Sequence, residues 1–243
     1  MNMDRVLADP ETYWNDEAHP KAPMIYAASC VPKHKTPIGC DVRRFVSAPD
    51  AVVDEALRFD VVSGNEWIGN LDLDERVQAI QKWVVSGTHR FGDRKGKPVL
   101  TYVSDSKAQG YPECWLHPHE TLALGMGDCD DGSFLIASLM LAADVPAWRV
   151  RVATGWVKSG NTSGGHAYCC YCRPKDNMWV AIDWCFLEDS SIAVNDKPLI
   201  RDRPEYGEVW FSTNHLYTWV HTQFALKKGK VKDYEENDVP VAR

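Results

Sequence analysis

Apolar residues recur at three- and four-residue steps early in the chain and give way to partial alternation after its midpoint. Val53, Ala56 and Leu57 share one face of a helix expected over residues 50–60. Val77, Ile80, Trp83 and Val84 do the same over 72–85, with Asp72 or Asp74 placed to cap the start. A loop-rich stretch runs from Gly87 to about Pro118. Residues 129–143 form an apolar helix that stops before Pro146, because the residue preceding a proline is pushed out of the helical region. From Trp148 the pattern predicts strands at 148–157, 165–173 and 178–185, the last two separated by a polar turn around Pro174 to Asn177, and a final strand at 208–211. Helices followed by antiparallel strands predict an α+β fold.

The first 48 residues break this regularity. Pro10, Pro20, Pro23, Pro32 and Pro37 interrupt a polar stretch without periodicity, read as an irregular arm that wraps the domain. Residues 49–243 then form one domain, with its core at 72–186 and a C-terminal extension at 187–243. A net charge of −7 argues against nucleic acid as a partner, since that needs a basic face. Lys227, Lys228, Lys230 and Lys232 read as a solvated tail. No stretch approaches the ~20 apolar residues that span a bilayer. The acidic start lacks the apolar centre of a secretory signal, so no membrane association and a cytoplasmic location are expected. Without a secretory context the eight cysteines are expected to be reduced. In a strand, Cys170 and Cys172 share a face and Cys169 points away, which favours packing over a four-ligand zinc site. No metal and no cofactor are expected.

Chemistry concentrates at Cys129. It stands in G-M-G-D-C-D-D, where a glycine-containing turn enters the apolar helix. A thiol at a helix start feels the positive end of the dipole, which favours thiolate. Gly125 and Gly127 permit close substrate approach, and the Cys129 backbone N–H is a helix-start donor able to face an oxyanion. Asp128, Asp130 and Asp131 oppose this, because adjacent negative charge raises a thiol pKa. A buried packing cysteine is the competing reading. Asp183 lies within an apolar strand, where an aspartate is costly unless paired. If Arg173 to Asp176 form a four-residue hairpin loop, Cys172 faces Asn177 and His166 lies opposite Asp183. A nucleophile, a base and an orienting carboxylate would then follow in the order Cys129, His166, Asp183.

Trp115 to Asp131 (W-L-H-P-H-E-T-L-A-L-G-M-G-D-C-D-D), then A-D-V-P-A-W-R-V-R-V, then G-G-H-A-Y and W-V-A-I-D-W, resemble the transglutaminase-like superfamily, a branch of the papain-like thiol enzymes. The resemblance covers residues 72–186. It implies a papain-like core with helices on an antiparallel sheet, Cys129 as nucleophile, His166 as base and Asp183 as orienting residue. It also points to Trp115 as a second oxyanion donor, through its indole N–H. The chain is more similar to microbial and phage-encoded members than to large multidomain crosslinkers. The implied activity is hydrolysis of peptide or amide bonds in a protein or cell-wall peptide. The alternatives are acyl transfer to an amine, or a virion or assembly component that keeps the fold. His117 and His119 are expected at the surface.

Overall fold

The structure is a computed structural model that describes residues 25–27, 39–47, 50–61, 67–110 and 112–220. The expected arm and C-terminal extension lie partly outside the described residues, and the lysine run lies wholly outside them. In chain order the strands are β1 (Ile25–Ala27), β2 (Gly39–Asp41), β3 (Thr101–Tyr102), β4 (Met126–Gly127), β5 (Val150–Ser159), β6 (Thr162–Arg173), β7 (Met178–Ile182), β8 (Tyr206–Thr213) and β9 (Thr218–Val220). The α-helices are α1 (Ala51–Ala56), α2 (Leu73–Ser86), α3 (Asp105–Ala108), α4 (Pro118–Leu124) and α5 (Cys129–Ala142).

Local chemistry explains the helix starts. The Asp50 carboxylate accepts from the Val52 and Val53 N–H groups and opens α1, which continues into a π-helical turn at Leu57–Val61. Asp72 and Glu75 form a reciprocal capping box on α2, at 2.9 and 3.3 Å. Helix α5 is apolar on every side and buried from Asp130 to Met140, as expected of a helix that packs all round. It is sandwiched between α1, α2 and α4 and the strands β5 and β6.

The main sheet is antiparallel with strand order β7-β6-β5-β8-β9. Its inner face contributes Val150, Val152, Cys169, Tyr171, Val180 and Ile182 to one core with Phe134, Leu135 and Leu139 of α5. Val42, Phe45 and Val46 join the same core. Its outer face carries a second apolar cluster around Ala153, Tyr168, Cys170 and Tyr206. The molecule is therefore α+β, helices layered on an antiparallel sheet.

Three expectations need correction. The β6–β7 loop is 174–177, because Arg173 pairs with Met178 and Cys172 with Trp179. Asn177 adopts a φ of 52°, and Arg173 forks onto the Asp176 carboxylate, which closes the turn one residue later than expected. The resulting slip is two residues, so every side chain keeps its face. Second, β7 ends at Ile182, and Asp183 lies just beyond the strand. Third, the stretch expected to end as loop at Pro118 leads straight into α4, and β8 is longer than 208–211, with β9 beside it.

Candidate active site

Asp183 is fully buried at the end of β7 and receives His166 from β6: His166 Nε2 lies 2.8 Å from Asp183 Oδ2. The same oxygen accepts the Tyr206 hydroxyl at 2.9 Å, and Oδ1 accepts the Cys185 and Phe186 N–H groups at 3.2 and 3.3 Å. Gln81 of α2 donates to the Asp183 carbonyl at 2.7 Å and ties this corner to the helical layer. Burial works against ionisation of Asp183. The His166 contact, the loop N–H groups and the Tyr206 hydroxyl outweigh it and hold the carboxyl below the ordinary carboxylate range. Tyr168 stacks on His166 at 5.9 Å, and Phe186 lies 5.4 Å away, so the ring is fixed on two sides. Across the sheet His166 faces Gly155, where β5 bulges against β8 and a Cβ would come within 2.3 Å of the Glu208 carbonyl oxygen.

Cys129 opens α5 and remains partly accessible. Its carbonyl accepts from Ser133 Oγ at 2.7 Å and from Trp184 Nε1 at 3.3 Å. Ser133 Oγ also reaches the Ala167 carbonyl at 3.0 Å, and the Ala167 N–H is directed at the Cys129 thiol. The nucleophile candidate is thus fastened to the residue after His166 and to the residue after Asp183. Burial pushes the thiol well above its usual pKa, and the charges of Asp128, Glu113 and Asp183 add to this, while the Ala167 N–H works the other way.

The acids around Cys129 pack into the turn that leads to it. Asp131 is buried; its Oδ1 accepts the Leu116 N–H at 2.7 Å and its Oδ2 the Asp128 N–H at 3.1 Å, fixing the turn into α5. Asp105, Glu113, Asp128, Asp130 and Asp131 converge, their oxygens falling in groups of three within 4.8 Å. Burial first, then mutual repulsion, pushes Asp105 up to about 9, Asp131 to about 7 and Asp128 to about 6, and raises Asp130 strongly. Asp128 Oδ1 and Asp130 Oδ1 are buried without a hydrogen-bond partner. An all-oxygen set of this kind suits a hard divalent cation. A second group, His166, Asp183 and Cys185, brings one nitrogen, one oxygen and one sulfur within 4.8 Å of one another.

Trp115, expected as an oxyanion donor, is buried with its ring against Phe45 and Phe134. Its indole N–H donates to Glu113 Oε1 at 2.6 Å, so that proton is committed to a carboxylate. His117 stacks on Phe45 at 4.7 Å and on the exposed His119 at 5.7 Å. Sequence reasoning missed Tyr206, Gln81, Cys185, Asp105 and Glu113. Only Cys185 had a local signal, a second thiol two residues after the buried aspartate. Two exposed apolar side chains lie on the elements around Cys129: Tyr102 packs on Trp184 at 5.9 Å, and Met126 pairs with Thr101 on the strand leading to Cys129.

No family model matches this chain, and no curated protein matches it in sequence. Among solved structures it is similar to Legionella pneumophila LapG in its calcium-bound form, at a TM-score of 0.47 and 14% identity over 70% of this chain and 74% of that one. The EGTA-treated form of LapG gives a TM-score of 0.48 at 14% identity, over 72% of this chain and 74% of that one. Identity this low carries no residue role from one chain to the other. No described helix is long and apolar enough to cross a membrane.

Proposed function

We propose that this chain is a thiol hydrolase that cleaves peptide or amide bonds through Cys129, His166 and Asp183. The observation that carries the reading is the buried His166–Asp183 hydrogen bond beside a helix that starts with a partly accessible cysteine. Asp183 takes Nε2–H, which leaves Nδ1 as the basic nitrogen of the ring. In the proposed cycle Nδ1 accepts the Cys129 proton and sulfur attacks the carbonyl carbon. The oxyanion meets the Cys129 backbone N–H at the start of α5. The C–N bond then breaks as His166 returns the proton to the leaving amine, and a thioester remains. Water, deprotonated by His166, attacks the thioester, releases the acid and restores the thiol.

The raised thiol pKa fits a nucleophile that gives up its proton only as the imidazole receives it. Tyr102, exposed on the buried Trp184, and the exposed Met126 offer apolar contact to an extended peptide, so protein or cell-wall peptide is the proposed substrate class. Acyl transfer to an amine is a second reading, favoured by Asp128 and Glu113, whose charge beside the thiol would draw a protonated amine acceptor. Iodoacetamide labelling of Cys129 against pH, read peptide by peptide, tests the shared chemistry. Labelling faster than at the other cysteines and dependent on His166 supports it; slow labelling that ignores His166→Ala sinks it. Incorporation of a labelled amine into a glutamine-containing protein separates transfer from hydrolysis.

A further inference from the structure

We propose that His166, Asp183 and Cys185 form an inhibitory site for a borderline-soft divalent cation, Zn²⁺ above all, and that its occupation switches off the proposed hydrolase. The regulatory half of this inference rests on the catalytic reading given above; the binding half does not.

The donor set comes from geometry. The His166 ring nitrogen, the Asp183 carboxylate oxygen and Cys185 Sγ all lie within 4.8 Å of one another. Tetrahedral zinc with one nitrogen, one oxygen and one sulfur ligand places its donors roughly 3.2–3.7 Å apart. His166 Nε2 and Asp183 Oδ2 now stand at 2.8 Å around a shared proton. A cation replacing that proton would need to part them by only about half an ångström. One thiolate and one imidazole select zinc over the hard cations that would suit the neighbouring all-oxygen cluster.

The surroundings of a metal site are also in place. Asp183 is oriented by the Tyr206 hydroxyl and by the Cys185 and Phe186 N–H groups, the kind of outer contacts that fix a ligating carboxylate. His166 is wedged between Tyr168 and Phe186. Cys185 keeps partial solvent access, the side from which a cation would reach the group.

Inhibition follows from the proton balance. Binding releases the Cys185 proton to solvent. An imidazole that gives Nε2 to a cation carries its remaining proton on Nδ1. The nitrogen that should take the Cys129 proton is then already protonated, and Asp183 no longer orients the ring as an acceptor.

The test uses the full chain and Co²⁺ as a visible stand-in for Zn²⁺. Expected is a thiolate-to-cobalt charge-transfer band in wild type and in Cys129→Ser, absent in Cys185→Ser, weakened in His166→Ala, and bleached by stoichiometric Zn²⁺. In wild type, Zn²⁺ should slow iodoacetamide labelling of Cys129 about tenfold, the fall in thiolate supply when an imidazole partner is lost, and EDTA should restore it. In Cys185→Ser, labelling of Cys129 should ignore Zn²⁺. Circular dichroism checks that both serine variants are folded. No band in wild type overturns the inference, as does a band that survives Cys185→Ser and disappears in Cys129→Ser. If the band follows Cys185 but metal-free Cys129 labels slowly and without regard to His166, the metal site stands and the hydrolase reading fails.

Discussion

Tyr206 donates its hydroxyl to the same Asp183 oxygen that meets His166, and nothing near it in sequence announces this role. A buried carboxylate needs every acceptor position answered. With Tyr206→Phe the ring contacts to Tyr168 and Phe186 remain and only the hydrogen bond is lost, a cost of about 1.5–3 kcal/mol for a charged acceptor. The Asp183 pKa should rise toward its ordinary value, the imidazole should be held less firmly, and Cys129 labelling should slow several-fold with little change in far-ultraviolet circular dichroism. An unchanged labelling rate would assign Tyr206 to packing alone. Asp183→Asn is the sharper change. The amide can present its N–H₂ to Nε2 and reverse the ring tautomer, so turnover on any cleaved peptide should fall by roughly three to four orders of magnitude. A loss below tenfold would remove Asp183 from the mechanism.

At the scale of elements, the start of α5 is held by Trp184, whose indole lies over Gly132 so closely that a Cβ there would stand 2.3 Å from Nε1. Gly132→Ala should therefore push the indole off the Cys129 carbonyl and cost about 1–3 kcal/mol of overpacking. The check is a lower urea midpoint together with altered Cys129 labelling; wild-type values for both would mean the indole is not fixed there. Elements of this kind were unevenly legible in the sequence. Helix α5 and strands β5 to β7 carry strong apolar patterns, and Cys129, His166 and Asp183 each sit in one of them or at its end. The expected pairing of His166 directly opposite Asp183 does not hold, since the last strand pair is Cys169 with Ile182, but the slip by an even number of residues keeps both side chains on one face. Helix α4 was missed although Pro118 at its first turn, Glu120 reaching back to the His117 N–H and Gly125 at a φ of 63° are ordinary start and stop signals. Trp115 shows the opposite failure. Its indole N–H was legible as a donor, but its acceptor, Glu113, became evident only once the chain had folded.

Over the whole molecule, the acids around Cys129 set how stability depends on pH. Asp105, Asp131 and Asp128 have folded-state pKa values of about 9, 7 and 6, all above the ordinary carboxylate value. The folded chain therefore holds more protons than the unfolded one from about pH 4 upward, and stability falls as pH rises through that window. Asp183 has the opposite sign: its lowered pKa contributes stability above the ordinary value and loses it as pH falls further. The net charge of −7 at neutrality adds repulsion in the same direction as the acids. The urea midpoint in the presence of EDTA should accordingly be highest near pH 5 and decline toward pH 8. Asp105→Asn removes a carboxylate whose charged form is strongly disfavoured, while its amide oxygen can still accept the Cys114 N–H. That variant should gain on the order of 1–3 kcal/mol at pH 8 and little at pH 5, flattening the profile. A midpoint that rises between pH 5 and pH 8, or an Asp105→Asn variant destabilised equally at both, would mean that the buried acids are relieved by rearrangement rather than by protons.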